Sequence, residues 1–119
     1  MRVVVVPPDY TPSGSPLSPA VRAGSLVFVS GQTASGEGGV EMQTRAVLEK
    51  MKGILIAAGS DLSQVLRCGV YLADIRTFQR MNSVYREFFP AEPPARTTIE
   101  CKMADSAVLV EIDCVATVG

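Results

Sequence analysis

The sequence predicts an α+β domain, a two-layer sandwich in which two helices pack on one face of a mixed β-sheet. Three observations carry that prediction. Two segments repeat their apolar residues at helical spacing, and each is followed by a run rich in β-branched and aromatic residues. The strand-like runs alternate apolar with polar residues, so each offers one face to a core. The 119 residues, 47% hydrophobic and 19% charged, suffice for a core in one domain spanning 1–119.

Val3 to Val6 reads as a short strand closed by Pro7-Pro8. Asp9 to Pro19 is rich in Pro, Ser, Gly and Thr without periodicity, and reads as a loop. Ala20-Val21-Arg22 and Leu26 to Ser30, separated by Ala23-Gly24-Ser25, read as a hairpin. Thr33 to Gly39 is glycine-rich, but it lacks the Lys-Ser/Thr of a phosphate-binding loop and carries Glu37, so a plain turn is expected.

Glu41 to Ala58 predicts the first helix. Val47, Met51, Ile54 and Ala58 share a narrow sector that Leu48 and Leu55 widen, and Gly59 is the stop. Glu41, Arg45, Glu49 and Lys52 fall opposite, spaced for ion pairs within the helix. Gly53 costs such a helix ~1 kcal/mol against Ala and suggests close backbone approach to the sheet. Val65 to Ala73 predicts a strand, and Asp74 a cap for a second helix, Ile75 to Phe89. The apolar stripe of that helix is Ile75, Phe78, Met81, Tyr85 and Phe89, with Asn82 turned inward among them. A buried amide needs partners, either as a tie to a neighbouring loop or as a wall of a site.

The last two runs, Arg96 to Met103 and Val108 onward, flank Ala104 to Ala107 and read as an antiparallel hairpin. A tight turn there pairs Met103 with Val108, Thr98 with Asp113, and Glu100 with Glu111. Parity then puts Thr97, Ile99, Cys101 and Met103 in a hydrophobic layer with Val110, Ile112 and Cys114, while Arg96, Thr98 and Glu111 share the other face. Two carboxylates facing each other would be unfavourable without a cation or a shared proton, which points to a site. A mixed sheet face that its own helices leave uncovered invites a second subunit.

Composition narrows the chemistry. The chain has no histidine, which removes imidazole acid–base catalysis and histidine zinc sites. Its net charge of −1 and the lack of a basic, aromatic stripe argue against nucleic acid, and no run is long enough to span a membrane. Three cysteines form no C-x-x-C and read as buried thiols. No signal peptide is evident, so a soluble cytoplasmic protein is expected.

Several fragments, in order and at matching spacing over nearly the whole chain, resemble the Rid (RidA/YjgF) family of reactive-intermediate imine/enamine deaminases. They are Leu26-Val27-Phe28-Val29-Ser30-Gly31-Gln32, Ala57-Ala58-Gly59-Ser60 with Leu62, Val70 to Asp74, Met81 to Phe89, and most specifically Pro94-Ala95-Arg96-Thr97-Thr98-Ile99-Glu100 followed by Val110-Glu111-Ile112. The resemblance implies a chorismate-mutase-like fold and a homotrimer with sites between subunits. It implies hydrolysis of 2-imino and enamine acids, as by 2-iminobutanoate/2-iminopropanoate deaminases, to 2-oxo acids and ammonia, without metal or organic cofactor.

By the same resemblance Arg96 grips the substrate carboxylate and Glu111 positions and activates water. Leu17, Ser30, Gly31, Asn82, Tyr85 and Thr98 line the substrate site. A guanidinium fork matches a carboxylate bidentately, which agrees with the first role. The chain departs from the family pattern at Leu17, where many deaminases have Tyr, at Pro19, where they have Gln, and at Thr98, where they have Cys. A more apolar pocket and a larger substrate, such as 2-aminomuconate, follow from the loss of the phenol. The alternatives are a non-catalytic binding protein for 2-oxo acids in the same cleft, or an ion pair of Arg96 and Glu111 that only fixes the oligomer. A ribonuclease role draws no support from this composition.

Overall fold

A computed structural model describes residues 1–36 and 38–119. Glu37, inside the glycine-rich stretch read as a turn, lies outside the described residues. Six strands and two helices follow in the order β1 (Arg2–Val5), β2 (Ala20–Ala23), β3 (Leu26–Thr33), α1 (Val40–Ala57), β4 (Val65–Leu72), α2 (Phe78–Phe88), β5 (Ala95–Glu100) and β6 (Val110–Thr117). They form a single sheet of order β1-β2-β3-β6-β4-β5, antiparallel except for the β4–β5 pair. Both helices cover one face of this mixed sheet, as expected. No helix among the described residues is long and apolar enough to cross a membrane.

The helix-facing layer follows from the periodicities. Val47, Leu48, Met51, Ile54, Leu55 and Ala58 are buried, and so are Met81, Tyr85 and Phe89. Against them the sheet presents Val27 and Val29, Cys68, Val70 and Leu72, and Val110, Ile112, Cys114 and Ala116. At the end of α1 the Ser60 N–H donates to Leu55 O at 2.8 Å, and Gly59 takes φ +85°, a left-handed turn that favours glycine. Asp74 caps the next element as expected, accepting from Arg76 N at 2.9 Å, but residues Ile75–Thr77 form a 3-10 turn and Ile75 is exposed.

The terminal hairpin does not form. Strand β4 lies between β5 and β6, so the two runs are never neighbours. β5 instead pairs in parallel with β4, Arg96 opposite Cys68 and Thr98 opposite Val70. Parallel partners need a long crossover, and α2 with its flanks supplies it. The same register reverses the expected parity. Arg96, Thr98 and Glu100 point to the helix side with Cys68, Val70 and Leu72, while Thr97 and Ile99 are exposed on the open side. Glu100 does not meet Glu111: it accepts a hydrogen bond from Ile75 N at 3.0 Å.

Three further expectations change. Glu41 and Arg45 pair across to the second helix, with Arg80 and Glu87, at 3.0 Å each, because α1 and α2 lie side by side. A methyl group on Gly53 would meet nothing within 4 Å, so that glycine faces open space rather than the sheet. Among the cysteines, Cys68 and Cys114 are buried as expected, but Cys101 follows the end of β5 and is only half-buried. All three are free thiols.

Candidate active site

The expected site residues fall into two groups on opposite faces of the sheet. On the helix side, at the sheet's edge, stands Arg96. Its guanidinium lies 4.8 Å from the centre of the Tyr85 ring and 5.4 Å from that of Phe78. Its Nη1 donates to Asn82 Oδ1 at 2.7 Å. The inward amide of α2 therefore holds the arginine rather than a loop backbone. Two aromatic faces and one fixed hydrogen bond limit the rotamers of a side chain that is otherwise expensive to order. That is the only Arg96 side-chain bond among the described residues, so most of the guanidinium's donors stay available to a ligand.

Two hydroxyls sit beside this arginine. Tyr85 OH and Thr98 Oγ1 are both buried, and neither has a hydrogen-bond partner among the described residues. Burial pushes the Tyr85 phenol well up from its ordinary pKa, and the adjoining Cys68 thiol adds to the shift. Arg96, Asn82, Tyr85, Phe89 and a run of prolines (Pro90, Pro93, Pro94) line an open cleft of about 460 Å³.

On the open face stands the second group. β3 bulges between Val29 and Gln32, setting Ser30 and Gly31 together opposite Asp113 of β6. The Ser30 hydroxyl donates to Ser18 O and its N–H to Pro19 O, tying the N-terminal loop to the bulge. Gly31 lies beneath the Glu111 carboxylate so closely that a Cβ there would collide with Oε2. Burial raises the Glu111 pKa above the ordinary carboxylate value, and the neighbouring Asp113 charge raises it further.

Asp113 is itself well satisfied. Its Oδ1 accepts from Gly69 N at 3.1 Å and its Oδ2 from Tyr71 OH at 2.9 Å. The pair needs a glycine at position 69, where a Cβ would lie 2.6 Å from Asp113 Oδ1 and 2.8 Å from Tyr71 OH. Tyr71, Cys101, Lys102, Met103 and the two carboxylates line a shallow cleft of about 220 Å³. Sequence reasoning gave no part to Tyr71 or Gly69, because the register of β4 against β6 is what brings them to Asp113.

Arg96 and Glu111 therefore do not share a face. Two strand spacings and three residues along the sheet separate them, roughly 14 Å between Cα atoms. One chain cannot bring both to the same small molecule. Leu17 is exposed on the loop before β2 and lines neither cleft.

The fold and spacing match known proteins over the whole chain. The family model described as Endoribonuclease L-PSP matches residues 10–118. The chain belongs to this family, known as YjgF/RidA. A RutC family protein of Pyrococcus horikoshii is 38% identical over 123 residues, covering 98% of both chains. Among solved structures, a YjgF/YER057c/UK114 family member from Mycobacterium tuberculosis superposes with a TM-score of 0.87 at 32% identity, covering 99% of this chain and 100% of its own. The E. coli protein TdcF, solved with bound serine, gives a TM-score of 0.89 at 27% identity over 98% and 99% of the two chains. These YjgF/RidA relatives carry varied names, from RutC to endoribonuclease, and share the fold.

Proposed function

We propose that this YjgF/RidA protein hydrolyses 2-imino and enamine acids to 2-oxo acids and ammonia, in the cytoplasm, at a site shared between subunits of a homotrimer. The observation that carries the reading is a caged, half-free arginine lining an open cleft at the sheet's edge, together with a carboxylate of raised pKa on the face that the helices leave uncovered. The bound serine of TdcF supports a ligand of amino-acid size.

Arg96 takes the substrate carboxylate through its unoccupied N–H groups. Tyr85 walls the cleft with its ring, while its hydroxyl and that of Thr98 are buried. Glu111 of an adjacent subunit meets the imine from the other side. As general base it takes a proton from water while the oxygen attacks the electrophilic iminium carbon. It then returns that proton to the nitrogen of the tetrahedral adduct; as the C–N bond breaks and ammonia leaves, the adduct's hydroxyl gives its proton to Glu111, which passes it to the departing ammonia. A carboxyl whose pKa is raised toward the working pH suits both steps. The iminium carbon is reactive enough that this proton traffic and the orientation on Arg96 are what the protein must add.

The test is release of ammonia and keto acid from imines generated in situ by an amino-acid oxidase. Wild type should exceed spontaneous hydrolysis, and Arg96→Ala should lose most of that excess. If wild type adds nothing to the uncatalysed rate, or Arg96→Ala matches wild type, the reading is wrong. Saturable binding of 2-oxo acids with no turnover would instead make the cleft a binding site.

A further inference from the structure

The Arg96 cleft holds a second cation. Arg86, one turn beyond Asn82 on α2, lines the same cleft, and its Nε lies 3.5 Å from Asn82 O. Asn82 thus touches both arginines, Arg96 through its side-chain oxygen at 2.7 Å and Arg86 through its carbonyl. Those two contacts, with the few ångströms between the two oxygens of one asparagine, keep the bonded arginine nitrogens within about 11 Å of each other. Arg86 forms no ion pair among the described residues, whereas Arg45, Arg76 and Arg80 each do. None of the cleft's described lining residues is acidic. The remaining walls are aromatic rings and prolines, which bind the carbon chain of a ligand without competing for its charge.

We propose that the cleft selects dianionic substrates, namely 2-imino dicarboxylic acids, with Arg96 holding the carboxylate next to the imine and Arg86 the distal one. This rests on the deaminase reading for the word substrate, but the charge preference stands on the cleft alone. A four- or five-carbon diacid spans the two arginines when each carboxylate keeps a charge-assisted contact of ~2.8 Å. Arg86 is exposed, so its contact is weaker and more salt-sensitive than that of Arg96. Its effect is specificity rather than anchoring.

The experiment compares 2-oxoglutarate with 2-oxopentanoate, which differ only in the distal carboxylate, by titration calorimetry at low ionic strength. The diacid should bind at least about tenfold tighter to wild type. Arg86→Gln should shrink the ratio to within about twofold, Arg86→Lys should restore part of it, and Arg86→Glu should invert it. Equal binding of the two acids, or a ratio unchanged in Arg86→Gln, overturns the inference. So does inorganic phosphate that displaces 2-oxoglutarate with higher affinity than the diacid itself, because the cleft would then read phosphoryl groups. Turnover of the imines made from glutamate and from norvaline separates the two readings. Neither imine hydrolysed, with the diacid binding preference intact, refutes the deaminase and leaves the dianion site standing. Both hydrolysed without preference refutes the dianion site and leaves the deaminase.

Discussion

The Glu111 carboxylate rests on the bare Cα of Gly31, across a bulge that places Ser30 and Gly31 together opposite Asp113. The first prediction follows from that contact. In Gly31→Ala the new methyl group takes the space of the carboxylate, which is the mobile end of its side chain and swings away. Overpacking of this kind should cost about 1–2 kcal/mol of stability. Displacing the proposed base should cost about 100-fold in turnover. Urea unfolding and ammonia release separate the two effects, and a variant that lost both fully would point to a folding role instead.

Glu111 should also mark the protein's pH dependence. Its folded pKa is raised, first by burial and then by Asp113. The folded state therefore binds that proton more tightly than the unfolded chain does. The associated stability is present below the unfolded carboxylate value of about 4.3 and is lost as pH rises through the raised folded value. Glu111→Gln should melt above wild type at pH 7, and the gap should close near pH 4. The acid limb of the rate profile should lie above that of an ordinary glutamate, and Asp113→Asn should move it down. Thermal melts at the two pH values check the first statement, and a pH–rate profile checks the second.

If the site joins Arg96 of one subunit to Glu111 of another, two dead variants should repair each other. Arg96→Ala and Glu111→Gln, each inactive alone, should regain a measurable fraction of activity when denatured together and refolded as a mixture. A mixture as inactive as its components would mean that both residues serve within one chain.

Gln43 bears on stability rather than chemistry. This buried amide donates from Nε2 to Ala107 O at 2.9 Å and accepts from Leu109 N at 2.8 Å, stitching α1 to the approach of β6. Gln43→Ala leaves one donor and one acceptor of the backbone unpaired in a partly buried place. A loss of about 2–3 kcal/mol is expected, read as a lower urea midpoint with an unchanged slope.

Local features of the chain could be read from residues close in sequence. The α1 stripe from Val47 to Ala58, the Gly59 stop, the Asp74 cap and the β2–β3 hairpin each depend on neighbours a few positions away. Gln43 was within reach as well: it continues the Val47–Met51 spacing backward by one turn, so its polar side chain had to be buried and bonded. The strand order was not legible. A polar turn between two β-rich runs fits a hairpin, and nothing local reveals that β4 inserts between them. That single long-range pairing fixes which face Arg96 and Glu100 occupy. Hence the arrangement of the residues expected at the site came from the register of β5 on β4.

The separation of Arg96 and Glu111 by a sheet has a consequence for how the protein responds to dilution. The buried core of one chain is closed between its own helices and sheet. That chain carries both halves of the proposed chemistry facing away from each other. Specific activity should then fall on dilution below the assembly's dissociation constant while circular dichroism stays constant. Quantity of protein, rather than its fold, would set whether the site exists at all.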